Sequence, residues 1–183
     1  MNKVKTRNLL ILMHLFLAAF LAPFFLMVAV TGALDQAGIE PSIEDIDLEL
    51  PAGTELDPES ATLKEDIRKI LAVQNIVLDI ESVRSRGGKM TTRPTSRTFA
   101  RFEQTQDRLS ASLHKPGLQY SLMELHKGHG PAIFKTYQMI AGFALFLVII
   151  GGLIVGVLTK TYRNKTVSAA ILGTIGFVAL AFF

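Results

Sequence analysis

The sequence predicts a membrane protein in which three transmembrane α-helices carry an α+β extracytoplasmic domain inserted between helices 1 and 2. Three observations predict it. Apolar runs begin near residues 9, 131 and 167, and each approaches or exceeds the length a helix needs to cross a bilayer. All 16 acidic residues lie between Asp35 and Glu124. Residues 35–128 therefore set 16 acids against 12 of the cations, a net charge of −4, while the flanks hold only cations: Lys3, Lys5, Arg7, Lys135, Lys160, Arg163 and Lys165. The overall charge of +3 and pI near 9.3 thus reflect membrane anchoring more than affinity for nucleic acid. With no cysteine, disulfides, iron–sulfur clusters and Cys-ligated zinc are excluded.

The first segment, residues 1–34, has a short basic tail and then an apolar run broken only by His14, Pro23 and Thr31. That run is about twice a signal-peptide core, which predicts a retained anchor. Pro23 falls mid-span and predicts a kink, with neighbouring helices covering the freed carbonyl.

Residues 35–128 are enough for one modest core. Ile46, Leu48 and Leu50 alternate with Asp45, Asp47 and Glu49, predicting a strand over 43–50. The run Asp57-Pro58-Glu59-Ser60 reads as a helix start, and Leu63, Ile67, Ile70 and Leu71 extend it over 58–74. Ile76, Leu78 and Ile80 alternate with Val77, Asp79 and Glu81 as a second strand. Gly87-Gly88 closes a hairpin with 89–93, and 97–104 pairs with 108–114 in another. Residues 118–124 suggest a last strand. His114 falls on the polar side of its strand and reads as solvated surface.

The charge in this domain is split. Residues 35–81 hold 13 acids against Lys64, Arg68 and Lys69, whereas 84–127 hold nine bases against Glu103, Asp107 and Glu124. Arg84, Arg86, Lys89, Arg93, Arg97 and Arg101 either neutralise the acids across strands or form a docking face for lipid head groups, an anionic ligand or a partner. Few aromatics are interleaved among them, which argues against nucleic acid.

Residues 129–158 form the second span. Pro131 suits the first helical position, and Lys135 is the only charge beyond it. A basic loop, 159–166, leads to a short third span, 167–183. Gly152 with Gly156, and Ala169 with Gly173, are small-xxx-small pairs that predict close packing of these two helices. The positive-inside rule places the N-terminus and the 159–166 loop in the cytoplasm and residues 35–128 outside.

Several short motifs now stand together. His14 opens the first span and Thr31-Gly32 closes it; Leu125-His126-Lys127-Gly128 precedes a helix containing Gly142, Gly151 and Gly152. This pattern resembles the PepSY-associated transmembrane family. The resemblance implies a PepSY-like module at 35–128, a bacterial inner membrane with that module in the periplasm, and b-type haem serving ferric siderophore reduction. The chain departs from the family in having Leu15 and Phe16 where an Arg usually follows the first histidine, and in being smaller than the four-helix members.

An ionisable residue within an apolar helix marks a functional position, and imidazole is a usual axial ligand of haem. His14, His126 and His129 are therefore candidate haem ligands, with a backbone-bonded neutral imidazole as the alternative at His14. His126 and His129, spaced i, i+3, can share a helical face, and with Glu124 they form a candidate metal site. Thr31 lies 17 residues after His14, so the two ends of the first span differ in depth by roughly 25 Å. A bis-histidine haem would need a second copy of the chain or another subunit. No Gly-x-Ser-x-Gly, His-Glu-x-x-His or Walker-type motif occurs, and no catalytic set is predicted. The expected function is that of a non-catalytic accessory subunit in a membrane assembly, partnered by the bilayer and by another membrane subunit or a second copy. The alternative is a haem-b electron-transfer component of iron or siderophore uptake.

Overall fold

The computed structural model describes residues 3–51, 53–105 and 108–182; Asp107 and the side chains of Lys3 and Arg7 lie outside the described residues. Three helices are long and apolar enough to cross a membrane: residues Asn8–Gln36 of α1 (Lys3–Gln36), α4 (Ala132–Leu158) and α5 (Arg163–Phe182). Between the first two in sequence lie β1 (Ile43–Leu48), α2 (Leu63–Val73), β2 (Ser82–Arg86), β3 (Lys89–Arg93), β4 (Phe99–Gln104), β5 (Leu109–Pro116) and α3 (Leu118–His126). The chain divides into two compact units, residues 1–24 with 139–183, and residues 25–138.

In the unit of 1–24 and 139–183, Leu21 and Ala141 are the only described residues that are buried. The rest of these apolar surfaces is left for lipid or for other helices. Two glycines set the contacts that do form. A Cβ on Gly152 would stand 3.2 Å from His14 Cε1, so α4 presents bare backbone to the imidazole of α1. A Cβ on Gly156 would run into the Thr166 side chain of α5, whereas Gly173 has open space around it. The expected pairing of α4 with α5 through two glycine pairs is thus half right. Gly156 packs on α5, Gly152 packs on α1, and Gly173 packs on neither. The third helix also starts earlier than expected, because Thr159 and Tyr162 carbonyls accept from the amides of Arg163 and Thr166 and wind the second half of the basic loop into helix.

In the unit of 25–138, five antiparallel strands run in the order β1-β5-β4-β3-β2. One face buries Met90, Ala100, Phe102 and Ala111 against Leu63, Ile67 and Leu71 of α2, closed by Leu56 and Ile80. Period-2 alternation puts these residues on one side and the charged residues on the other. The Gly87-Gly88 hairpin forms as its residues require, both glycines having φ values, +58° and +77°, open mainly to glycine.

Three expectations fail here. The helix begins at Leu63 rather than 58, because Asp57 takes its own chain into a turn: its side chain accepts from the Glu59 amide at 2.9 Å and its carbonyl from Ser60 at 3.1 Å. Residues 76–80 are not a strand. Their inward face is as expected, with Ile76 and Leu78 packed on the core and Ile80 buried, but no strand lies beside them, and strand pairing starts at Ser82. Residues 118–124 are helical. β5 is already flanked by β1 and β4, so the chain leaving Pro116 cannot fold back beside it as a hairpin; the Gly117 carbonyl accepts from Ser121 at 2.9 Å and begins α3 instead.

Candidate functional site

The residues linking α3 to α4 gather most of the polar groups singled out in the sequence. α3 ends at His126, and Gly128, at φ +76°, turns the chain toward Pro131, whose carbonyl accepts from Lys135 at 3.1 Å. Two side chains seal the helix ends. Gln138 donates to the Leu125 carbonyl at 2.8 Å, and Glu81 accepts from the Ala132 amide at 2.8 Å, placing a carboxylate at the positive end of α4. His126 and His129 consequently do not share a helical face, because the helix stops between them.

His126 Nδ1 lies 2.9 Å from the hydroxyl of Thr31, which is only 1% exposed. The Thr31 hydroxyl has one hydrogen and is 2.8 Å from the Met27 carbonyl. Donating to that carbonyl leaves its oxygen to accept from His126, so the imidazole proton sits on Nδ1. His129 is held likewise, by Nδ1 at 2.8 Å from Glu124 Oε2. Glu124, only 8% exposed, also accepts from the Thr95 hydroxyl, while Thr95 accepts from Arg93 at 2.8 Å and its amide donates to the His129 carbonyl at 3.1 Å. Burial lowers the pKa of Arg93, opposed by Glu124, and burial and Glu124 together raise that of Tyr120. The cluster Arg93–Thr95–Glu124–His129 thus closes on itself and ties the β3–β4 turn to the chain before α4. The candidate metal set does not assemble: Glu124 and His129 take each other, His126 takes Thr31, and no three His, Asp or Glu groups converge among the described residues.

His14 repeats the pattern. Its Nδ1 lies 3.0 Å from the Val148 carbonyl, and because a carbonyl only accepts, the ring donates through Nδ1, and Nε2 has no hydrogen-bond partner among the described residues. The imidazole faces a cleft of about 540 Å³ between α1, α4 and α5.

One group escaped the sequence reading. His114, expected on the surface, is only 5% exposed. It stacks on Phe99 at 4.8 Å, Phe99 stacks in turn on Tyr120 of α3, and Arg101 lies 5.9 Å from the Phe99 ring centre. Its Nδ1 donates to Asp45 at 2.5 Å and its Nε2 accepts from Ser112 at 2.9 Å. Ser, His and Asp stand in the order used by nucleophilic hydrolases, but Ser112 lies mid-strand, paired with Arg101 on one side and Asp47 on the other. The amides that would form an oxyanion hole are spent in the sheet ladder. A Ser-x-His on one strand facing an Asp-x-Asp on another was the signal available.

The same face carries the predicted basic residues. Arg84, Thr91, Arg101, Ser112 and Asp47 form one cross-strand row, and Arg86, Lys89, Glu103 and Ser110 another. Lys89 pairs with Glu103 at 3.0 Å and Arg97 with Asp79 at 3.1 Å, while Arg84 and Arg86 are exposed on the edge strand. No protein-family model matches the chain, and no curated protein or solved structure matches it.

Proposed function

We propose that the chain is an accessory subunit of a bacterial inner-membrane assembly. In this reading its PepSY-like module, residues 35–128, is held in the periplasm and offers its charged sheet face to another subunit or a second copy. The observation that carries the proposal is the unequal treatment of the two sheet faces: one is packed on α2, while the other leaves Arg84, Arg86 and Asp47 exposed. The sparse burial within the helical unit supports the same reading, since α5 has no buried residue and its surface is free for lipid or neighbouring helices. The closed histidine clusters and the mid-strand position of Ser112 favour an interaction role over a reaction. Native mass spectrometry of the mildly solubilised protein tests this. The proposal expects a stoichiometric complex that Arg84→Glu with Arg101→Glu disrupts. A monomer that carries stoichiometric haem and reduces an acceptor by itself would overturn it.

A haem-b electron carrier is a second reading, favoured by one observation. His14 is oriented as ligating histidines are, its Nδ1 donating to a carbonyl and its Nε2 without a hydrogen bond among the described residues. The fit is partial. His14 is the only histidine in its unit, so it offers one axial position, and a bis-histidine haem needs a second copy. A Soret band lost in His14→Ala would support this reading, and a colourless preparation from haem-replete cells would end it.

A further inference from the structure

We infer that the cleft beside His14 is a binding site for one molecule of an acidic phospholipid. Its walls are apolar, with Ile11 and Leu15 from α1, Val155 from α4 and Ala169 from α5, and Tyr162 and Lys165 stand at its border. The cleft exists because Gly152 and Gly156 contribute no side chain to it. The charge around it is one-sided. Residues 1–24 and 139–183 contain no Asp or Glu, so Lys165, Lys160 and Arg163 have no acidic side chain in their unit. Arg163 is occupied by the Val157 carbonyl at 2.8 Å, whereas the Lys165 ammonium and Tyr162 hydroxyl have no hydrogen bond or ion pair among the described residues.

An ammonium at the end of a membrane helix reaches the head-group layer with its stem along the apolar surface, and there it favours an anionic head group. A free anion would satisfy Lys165 but not the apolar walls; a zwitterionic lipid would fill the walls but bring its own cation. A phosphate monoanion on a diacylglycerol satisfies both. Lys165 and Tyr162 would donate to the phosphate oxygens, and one acyl chain would lie along Leu15, Val155 and Ala169. The inference rests on the three helices lying in a bilayer and not on the outer module having a partner.

The test is native mass spectrometry of the delipidated full chain, titrated with phosphatidylglycerol, with phosphatidylcholine of the same acyl chains, and with inorganic phosphate. We expect one phosphatidylglycerol retained more tightly than phosphatidylcholine. One cation at a membrane surface corresponds to about fivefold in affinity, so Lys165→Ala should weaken phosphatidylglycerol by about that factor and Lys135→Ala should not. Val155→Trp, which fills the cleft and keeps every charge, should abolish the one-molecule stoichiometry. Circular dichroism establishes that each variant is helical. Equal retention of both lipids, an unchanged affinity in Lys165→Ala, or inorganic phosphate displacing the lipid at equal concentration would each overturn the inference. None of these outcomes bears on the outer module's partner, which the charge-reversal experiment reads separately.

Discussion

The imidazole of His126 and the hydroxyl of Thr31 meet at 2.9 Å although 95 residues separate them in the chain. The bond ties the C-terminal part of α1 to the last residue of α3, and the whole of the sheet lies between them in sequence. Thr31 is buried in an apolar helix, so its hydroxyl has no solvent to replace the imidazole. Thr31→Val should leave Nδ1 unpaired and cost about 1–2 kcal/mol, while Thr31→Ser keeps the hydroxyl and most of the stability. Thermal unfolding in detergent measures both.

Glycine substitutions should separate along the helices. At Gly156 a Cβ would stand 2.7 Å from Thr166 Cγ2, so Gly156→Ala should destabilise by about 1–3 kcal/mol. Gly173 has nothing within 4 Å, and alanine there should be neutral or stabilise by up to about 1 kcal/mol through helix propensity. The same unfolding assay on the two variants compares them directly.

Ser112 should be inert toward a fluorophosphonate probe. Its hydroxyl donates to His114 Nε2, but no free amide stands beside it to stabilise an oxyanion. Covalent labelling of the intact protein that disappears in Ser112→Ala would show a nucleophile and contradict the structural role assigned to the Asp45–His114–Ser112 relay.

Alkaline pH should loosen the packing of α3 on the sheet. Burial, then Glu124, raises the pKa of Tyr120 above its ordinary value of 10.0. The folded state therefore disfavours the phenolate. This contribution to stability is fully present below pH 10.0 and is lost as pH rises from there through the raised, folded-state value. Tyr120→Phe cannot ionise, and its unfolding midpoint should fall less steeply above pH 10 than that of the parent protein.

The spans were legible because a bilayer demands a long apolar run, and no fold can disguise one. The Gly87-Gly88 hairpin was legible because its turn geometry is local. Residues 76–80 show where pattern stops. Alternation reports which side chains face inward, and Ile76, Leu78 and Ile80 do, but it says nothing about whether a strand lies alongside. α3 was misread for the same reason, since the absence of a free edge next to β5 belongs to the sheet as a whole. His114 was misread because its burial comes from Phe99 and Tyr120, contacts set by folding rather than by its own neighbours in sequence. His14, His126 and His129 could be singled out in the sequence, but their hydrogen-bond partners could not. Each is fixed through Nδ1 to a group from another turn or helix.

The proposed topology, on which the rest depends, puts residues 35–128 and the residue 159–162 turn on opposite sides of one membrane. The chain has no cysteine, so single cysteines can be introduced without background. Val77 is 93% exposed and Lys160 lies in the turn between α4 and α5. With a membrane-impermeant maleimide on spheroplasts, Val77→Cys should be labelled in the intact spheroplasts and Lys160→Cys only after lysis. Labelling of both positions from the same side would contradict the account.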